Sequence, residues 1–262
     1  MVSIVLPVYN GERYLGEAIA SVRRQTHPQW ELIIVNDGST DGSRAAALRH
    51  AGEDARIRLI DQPNRKLPAA LSAGFRAARG DYFTWTSADN RLRPEFLTRL
   101  LGEFREHPDW DMVTADMQMI DARGEPLRGS DCIRRFQDPV DTSIVHYPDD
   151  LGIMEREVCN VVGGAFLYRA ECGRRLGDYD DRYFTAEDYD YWLRMLACFT
   201  VRHAGFRDPI YEYRFHPEAL SARAEELGID ALTRQLLTIH RKRKPDLAKA
   251  LPPVRSSVAK HH

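Results

Sequence analysis

No run of apolar residues approaches the ~18 needed to cross a bilayer as a helix, so the sequence offers no candidate span. Neither charge dominates. The 37 basic and 39 acidic side chains leave a net charge of −2, which gives no global field to hold a nucleic acid. Cys132, Cys159, Cys172 and Cys198 form no CxxC pair, which fits neither a zinc ribbon nor a disulfide scaffold and suits reduced thiols in a cytoplasmic protein. The opening Met-Val-Ser-Ile-Val-Leu-Pro has no basic region and no small-residue cleavage site, so it reads as a strand and not as a signal peptide. No GxGxxG follows that strand and no GxxxxGK[ST] occurs anywhere, so the dinucleotide fingerprint and the P-loop are both missing. Internal repeats and low-complexity stretches are absent as well.

What is present is an α/β rhythm. Ser3-Ile4-Val5-Leu6-Pro7-Val8 is short, β-branched and continuously apolar, as a strand buried on both faces must be. Residues 12–26 carry Leu15, Ile19 and Val22 on one helical stripe, and Trp30-Glu31-Leu32-Ile33-Ile34-Val35 reads as the second strand. A helix is expected from about Asp41 as its N-cap, then a strand at 57–60, a helix at 69–78 and a strand at 82–86. This alternation predicts a mostly parallel sheet with helices on both faces. Residues 111–120 look like one further strand. Residues 121–160 are polar and weakly patterned, and are expected to be loops with short elements forming a flexible cover. Strands at 163–168, 201–206 and 210–215, helices at 171–176 and 187–198, and a tail helix over 222–244 complete the expectation.

Three strands end in polar residues with small neighbours: Tyr9-Asn10-Gly11-Glu12, Asn36-Asp37-Gly38-Ser39 and Ser87-Ala88-Asp89-Asn90. In an open parallel sheet the carboxyl ends of the strands line one crevice, the usual seat of a ligand, although turn chemistry alone accounts for any one cluster. Asp89 suits a hard divalent cation that neutralises a ligand's phosphates; as a capping residue before Pro94 it would be equally ordinary. In Ala186-Glu187-Asp188-Tyr189-Asp190-Tyr191-Trp192 the acidic pair falls in the first turn of a helix. The helix dipole is a sufficient reason for acids there; alternatively Asp188 faces the crevice as a general base whose pKa the dipole keeps low. Gly163-Gly164 serves either a tight turn or the close approach of another molecule. His216 follows the last strand and is either structural or a ligand. Residues 239–262 hold Arg241, Lys242, Arg243, Lys244, Lys249, Arg255 and Lys260 against Asp246, a solvated tail or a weak contact for anionic lipid head groups.

Together these motifs resemble the family 2 inverting glycosyltransferases of the GT-A fold. The likeness runs from Ser3 through Asp41, then through residues 77–94 and the Glu187-Asp188 helix, covering residues 1–216. It implies a GT-A domain with a nucleotide-sugar-binding half (1–110), an acceptor-binding and catalytic half (111–220) containing a small β element, and a C-terminal helix with a basic tail (221–262). Carried over, Pro7, Tyr9, Glu12, Asp37 and Ser87 would bind the nucleotide, and Lys66 would lie beside it. Asp89 would be the direct ligand of Mn2+ or Mg2+, joined by His216, and Asp188 the catalytic base. Gly163, Gly164 and Glu187 would face the sugar or the acceptor. Ser87-Ala88-Asp89 lacks the first acid of the DxD motif and is similar to the variant of spore-coat polysaccharide-type transferases. The QxxRW signature of processive synthases is absent, so a single transfer is implied, from a UDP-sugar to a glycan or lipid-linked acceptor. A nucleotidyltransferase would need a basic first loop where Tyr9-Asn10-Gly11-Glu12 is acidic. A non-catalytic nucleotide-sugar-binding scaffold is the remaining alternative.

Overall fold

The computed structural model describes residues 1–129 and 134–251; Cys132, Arg255 and Lys260 lie outside the described residues. Strands and helices alternate through the first part of the chain: β1 (Val2–Val8), α1 (Glu12–Arg23), β2 (Trp30–Asp37), α2 (Ser43–Glu53), β3 (Ile57–Gln62), α3 (Lys66–Ala77), β4 (Tyr82–Trp85), the short β5 (Arg91–Leu92) and α4 (Phe96–Glu106). Next come β6 (Met112–Thr114), β7 (Met117–Ile120), β8 (Ile144–Val145) and α5 (Ile153–Arg156). The chain closes with β9 (Phe166–Arg169), α6 (Ala170–Leu176), α7 (Glu187–Cys198), β10 (Val201–His203), β11 (Tyr211–Arg214) and α8 (Ile229–Ala250).

The main sheet has the order β10-β6-β9-β4-β1-β2-β3, and β5-β11-β7-β8 forms a smaller one. All residues of β1 and β2 are buried, which their unbroken apolar runs require. Pro7 is tolerated in this central strand for a geometric reason. Val5 already accepts from Thr86 N–H on the β4 side, and Pro7, two residues on, faces the same side beyond the end of β4, so no ladder donor is missing.

Strand directions decide where chemistry can collect. β3, β2, β1 and β4 run parallel, β9 is antiparallel to both β4 and β6, and β10 is parallel to β6. The carboxyl ends of β1, β2, β4, β6 and β10 therefore share one rim with the amino end of β9. α7 leads from this rim back to the start of β10. Its 12 residues span about 18 Å, so Glu187 and Asp188 at its beginning lie at the rim level.

Three expectations change. Residues 111–120 are two strands, not one, because the chain bends at Ala115-Asp116 and passes from the main sheet into the small one. The cause is Asp116, whose fully buried carboxylate is gripped by His203, His146 and Tyr147 N–H. The stretch over 121–160 is more than a loose cover. Val145, Tyr147, Leu151 and Met154 are core residues, and Asp121 folds the chain back by accepting from the N–H groups of Arg123 and Glu125. The tail helix starts later than expected, at Ile229, because Gly228 takes a left-handed conformation just before it.

Candidate active site

The first rim segment is built by two helix starts that cap each other. Glu12 N–H donates to Asp41 Oδ2 (3.1 Å), and Gly42 N–H donates to Glu12 Oε2 (2.9 Å). Asn10, at φ 52°, accepts from Thr40 N–H, while Gly11 N–H donates to Ser43 Oγ. The resemblance implies Glu12 at the nucleotide; in the structure one of its oxygens holds the start of α2. Tyr9 stands half-exposed at the rim.

Asp37, at the end of β2, is buried. Its Oδ1 accepts from Gln62 Nε2 (2.7 Å) and from Arg65 N–H (2.9 Å). Gly38 must be glycine: its φ is 74°, and a Cβ there would lie 2.7 Å from Asn64 N. Lys66, also left-handed at φ 71°, is exposed, and its Nζ lies 5.8 Å from the Phe184 ring centroid. Neighbouring Arg65 reaches Asp181 at 3.5 Å. The loop that leads into α7 is thus brought against the Asp37 side of the rim.

On the β4 side, Asp89 Oδ2 and His216 Nε2 are 3.0 Å apart. Gly11 packs so closely on this loop that a Cβ on it would sit 3.2 Å from Ala88 Cβ, so the β1 and β4 turns touch. Arg214, whose side chain is fully buried, donates from Nε to the Asp89 carbonyl (2.8 Å) and from NH2 to Glu17 Oε2 (2.7 Å). The Arg214 guanidinium also lies 4.5 Å from the Tyr14 ring centroid. Asn90 accepts from Arg214 N–H and donates to Tyr211 Oη.

At the start of α7, Asp188 Oδ1 accepts from Tyr189 N–H (2.7 Å) and Oδ2 from Asn160 Nδ2 (2.8 Å). Glu187 is buried and accepts from Thr185 N–H (2.7 Å). Burial pushes the Asp188 carboxyl above the usual carboxylate range, against the helix-dipole expectation of a low pKa. Desolvation of a charge outweighs the few donors the first turn supplies. Burial, and then the charge of Asp188, pushes Glu187 up as well, so the two carboxyls resist being ionised together.

Gly163 and Gly164 do allow close approach, but to the protein's own rings. A Cβ on Gly163 (φ 61°) would lie 2.7 Å from Tyr147, and one on Gly164 would lie 2.5 Å from Tyr211. This packing also links the halves of the rim: Tyr211 reaches Asn90 beside Asp89, and Tyr147 feels the charge of Asp188.

A carboxylate and an imidazole this close fit a cation with two protein ligands. Among the described residues no three His, Cys, Asp or Glu side chains converge on a metal site, so a diphosphate would have to supply further oxygens. His216 Nδ1 is buried without a hydrogen-bond partner and faces Glu218 Oε2 at 3.8 Å, a suitable acceptor for its proton when Nε2 serves as a ligand.

The sequence profile of the family described as "Glycosyl transferase family 2" matches residues 3–177. The chain belongs to this family. The glycosyltransferase is 30% identical over 235 residues to a Bacillus subtilis (strain 168) protein named as a glycosyltransferase, EpsE, covering 87% of this chain and 78% of that one. A Rickettsia felis glycosyltransferase is 27% identical over 220 residues, and there the match spans only 35% of the relative's length. Among solved structures, Staphylococcus aureus TarS (residues 1–349) in complex with UDP superposes with a TM-score of 0.66 at 16% identity, over 94% of this chain and 69% of that one. The mannosyltransferase PcManGT of Pyrobaculum calidifontis, in complex with GDP-Man and Mn2+, gives 0.62 at 18% identity, over 95% and 73%. The fold of the glycosyltransferase is GT-A.

Sequence reasoning missed three contributors to the glycosyltransferase's rim. No local pattern marks Arg214, a lone basic residue in a late strand. Asn160 was hidden in an unpatterned segment. The Asp116–His146–His203 network joins residues that are 30 and 87 positions apart, and its one visible signal was an acid inside an otherwise apolar run.

Proposed function

We propose that the protein transfers one sugar from a nucleotide-diphosphate sugar, foremost a UDP-sugar, to a hydroxyl of a glycan or lipid-linked acceptor with inversion, assisted by Mn2+ or Mg2+. The observation that carries this reading is that Asp37, the Asp89–His216 pair and the Glu187–Asp188 pair lie on one rim of the sheet. The printed ligands of the neighbours, UDP, UDP-GlcNAc and GDP-Man with Mn2+, support a nucleotide-sugar donor.

Asp37 keeps Oδ2 for the edge of the base, with Pro7, Tyr9 and Ser87 around the nucleoside and Lys66 swinging toward the diphosphate. Asp89 and His216 would hold the cation. When bound, it supplies neutralisation of the charge that grows on the departing diphosphate. Asp188 takes the proton of the acceptor hydroxyl as the oxygen attacks the anomeric carbon from the face opposite the leaving group. Its raised pKa suits this work, because a base acts best with a pKa close to the working pH. Glu187 stays protonated beside it. No covalent intermediate forms on the enzyme.

In this reading residues 1–110 grip the donor and residues 111–220 receive the acceptor, in the cytoplasm. No helix among the described residues is long and apolar enough to cross a membrane. Lys242, Arg243 and Lys249 on α8 are exposed and would lean weakly on anionic head groups, whereas Arg241 and Lys244 are engaged by α5.

Calorimetry with UDP and Mn2+, beside hydrolysis assays over a panel of sugar nucleotides, tests the proposal. Asp188→Asn is expected to lower turnover about 10³-fold with nucleotide affinity kept within a few-fold. A fully active variant removes Asp188 from the chemistry, and binding without turnover by the unaltered protein would favour the scaffold reading.

A further inference from the structure

Asp188 is reached by a side chain from outside its own helix. Asn160 Nδ2 donates to Asp188 Oδ2 at 2.8 Å, while Asn160 Oδ1 accepts from Val162 N–H at 3.1 Å. A backbone N–H can only donate, so the amide oxygen must face Val162 and the NH2 must face the carboxylate. The amide therefore has one productive orientation, and that orientation presents a donor to Asp188.

Asn160 itself is held in place from two directions. Tyr189, next to Asp188 on α7, donates its hydroxyl to the Met154 carbonyl (3.0 Å), just upstream in the same segment. Behind it α8 fastens α5: Glu155 accepts from Lys244 Nζ (2.6 Å) and lies 3.2 Å from His240 Nε2, and Arg241 donates to the Glu155 and Arg156 carbonyls. The titratable groups acting on Asp188 all oppose its charge or lie idle at neutral pH. Glu187, protonated on the same helix, and the buried neutral rings of Tyr147 after β8 and Tyr179 after α6 bring no positive charge to it. Apart from the N–H groups of its own first turn, Asn160 is the partner that favours the charged form of the Asp188 carboxylate among the described residues.

We propose that Asn160 is a positioning residue for the base, aiming the Asp188 carboxylate and holding it in its charged form. The proposal rests on Asp188 being the base. Removing a donor from a carboxylate favours the protonated form, and a protonated carboxyl cannot accept the acceptor's proton. In Asn160→Ala the base should therefore be lost at a higher pH than in the unaltered enzyme.

The test is a carboxyl 13C NMR titration of aspartate-labelled full-length protein, with the Asp188 signal identified by its disappearance in Asp188→Asn. In Asn160→Ala the Asp188 midpoint should move up by about one pH unit, a ten-fold change in proton affinity. Asn160→Ser, which keeps a shorter donor, should fall between the two. The acid limb of UDP-GlcNAc hydrolysis with Mn2+ should move the same way, with KM for the donor little changed. Superimposable Asp188 titrations in the unaltered protein and Asn160→Ala overturn the proposal, whatever happens to thermal stability. Full activity of Asp188→Asn would overturn the assignment of the base instead, and the NMR midpoints keep the two failures apart.

Discussion

The two sides of the rim hold their carboxylates differently. Beside β1 and β2, Asp37, Asp41 and Glu12 are satisfied largely by backbone N–H groups of the next β-α unit, such as Arg65, Ser43 and Gly42. Beside β6 and α7 the partners are side chains from distant segments: His203 and His146 for Asp116, Asn160 for Asp188. The electrostatic outcome also differs within the second side. Burial raises the pKa of Asp116, but hydrogen bonds from His203 and His146 outweigh it and its carboxyl ends below the usual range. Glu187 and Asp188 have no such imidazole partners among the described residues and end above it. A buried acid at this rim is a fixed anion or a proton acceptor according to what is packed beside it.

The sharpest way to break that comparison is Asp116→Ala. It strands the buried His203 ring and Tyr147 N–H, and should cost about 3 kcal/mol, read as a Tm fall of about 6–12 °C. Arg214→Met should come next, at about 2–3 kcal/mol, because the Asp89 carbonyl and Glu17 lose a buried donor. Nucleotide calorimetry in Mn2+ should report weaker binding, since Asp89 is no longer anchored. Beside β2, Asp37→Asn keeps an oxygen for Gln62 and Arg65, so stability should hold to within about 1 kcal/mol while UDP affinity falls about ten-fold. A large Tm loss there would erase the contrast.

Glu187→Gln probes the sign of the coupling. A carboxyl raised in the folded state supplies stability that is complete below the ordinary glutamate range and is lost as pH rises through the raised value. The unaltered protein should therefore lose Tm between about pH 5 and pH 8, and Glu187→Gln should flatten that slope by about 2–4 °C. The smallest effect is expected for Glu155→Gln. Hydrogen bonds from His240, against the opposing effect of burial, and then from Lys244 hold the Glu155 carboxyl down at about 2. Its contribution is present above the ordinary range and fades only as pH falls toward that value, so at neutral pH the variant should cost about 1 kcal/mol in a denaturant titration.

The sequence by itself determined the mostly parallel sheet, its burial and the polar turns that hold Asp37 and Asp89, because hydrophobic period and turn chemistry are local properties of the chain; it leaves open which way Asp188 faces. The pairing of His216 with Asp89, expected from the resemblance, is what the tertiary structure brings together at 3.0 Å. Only that structure could decide the rest. Glu12 became a helix cap, Gly163 and Gly164 became seats for Tyr147 and Tyr211, and residues 111–120 split between two sheets around Asp116. It also reversed the expected pKa shift of Asp188, since desolvation and the reach of Asn160 depend on which distant segments fold against a carboxylate, and no local pattern records that.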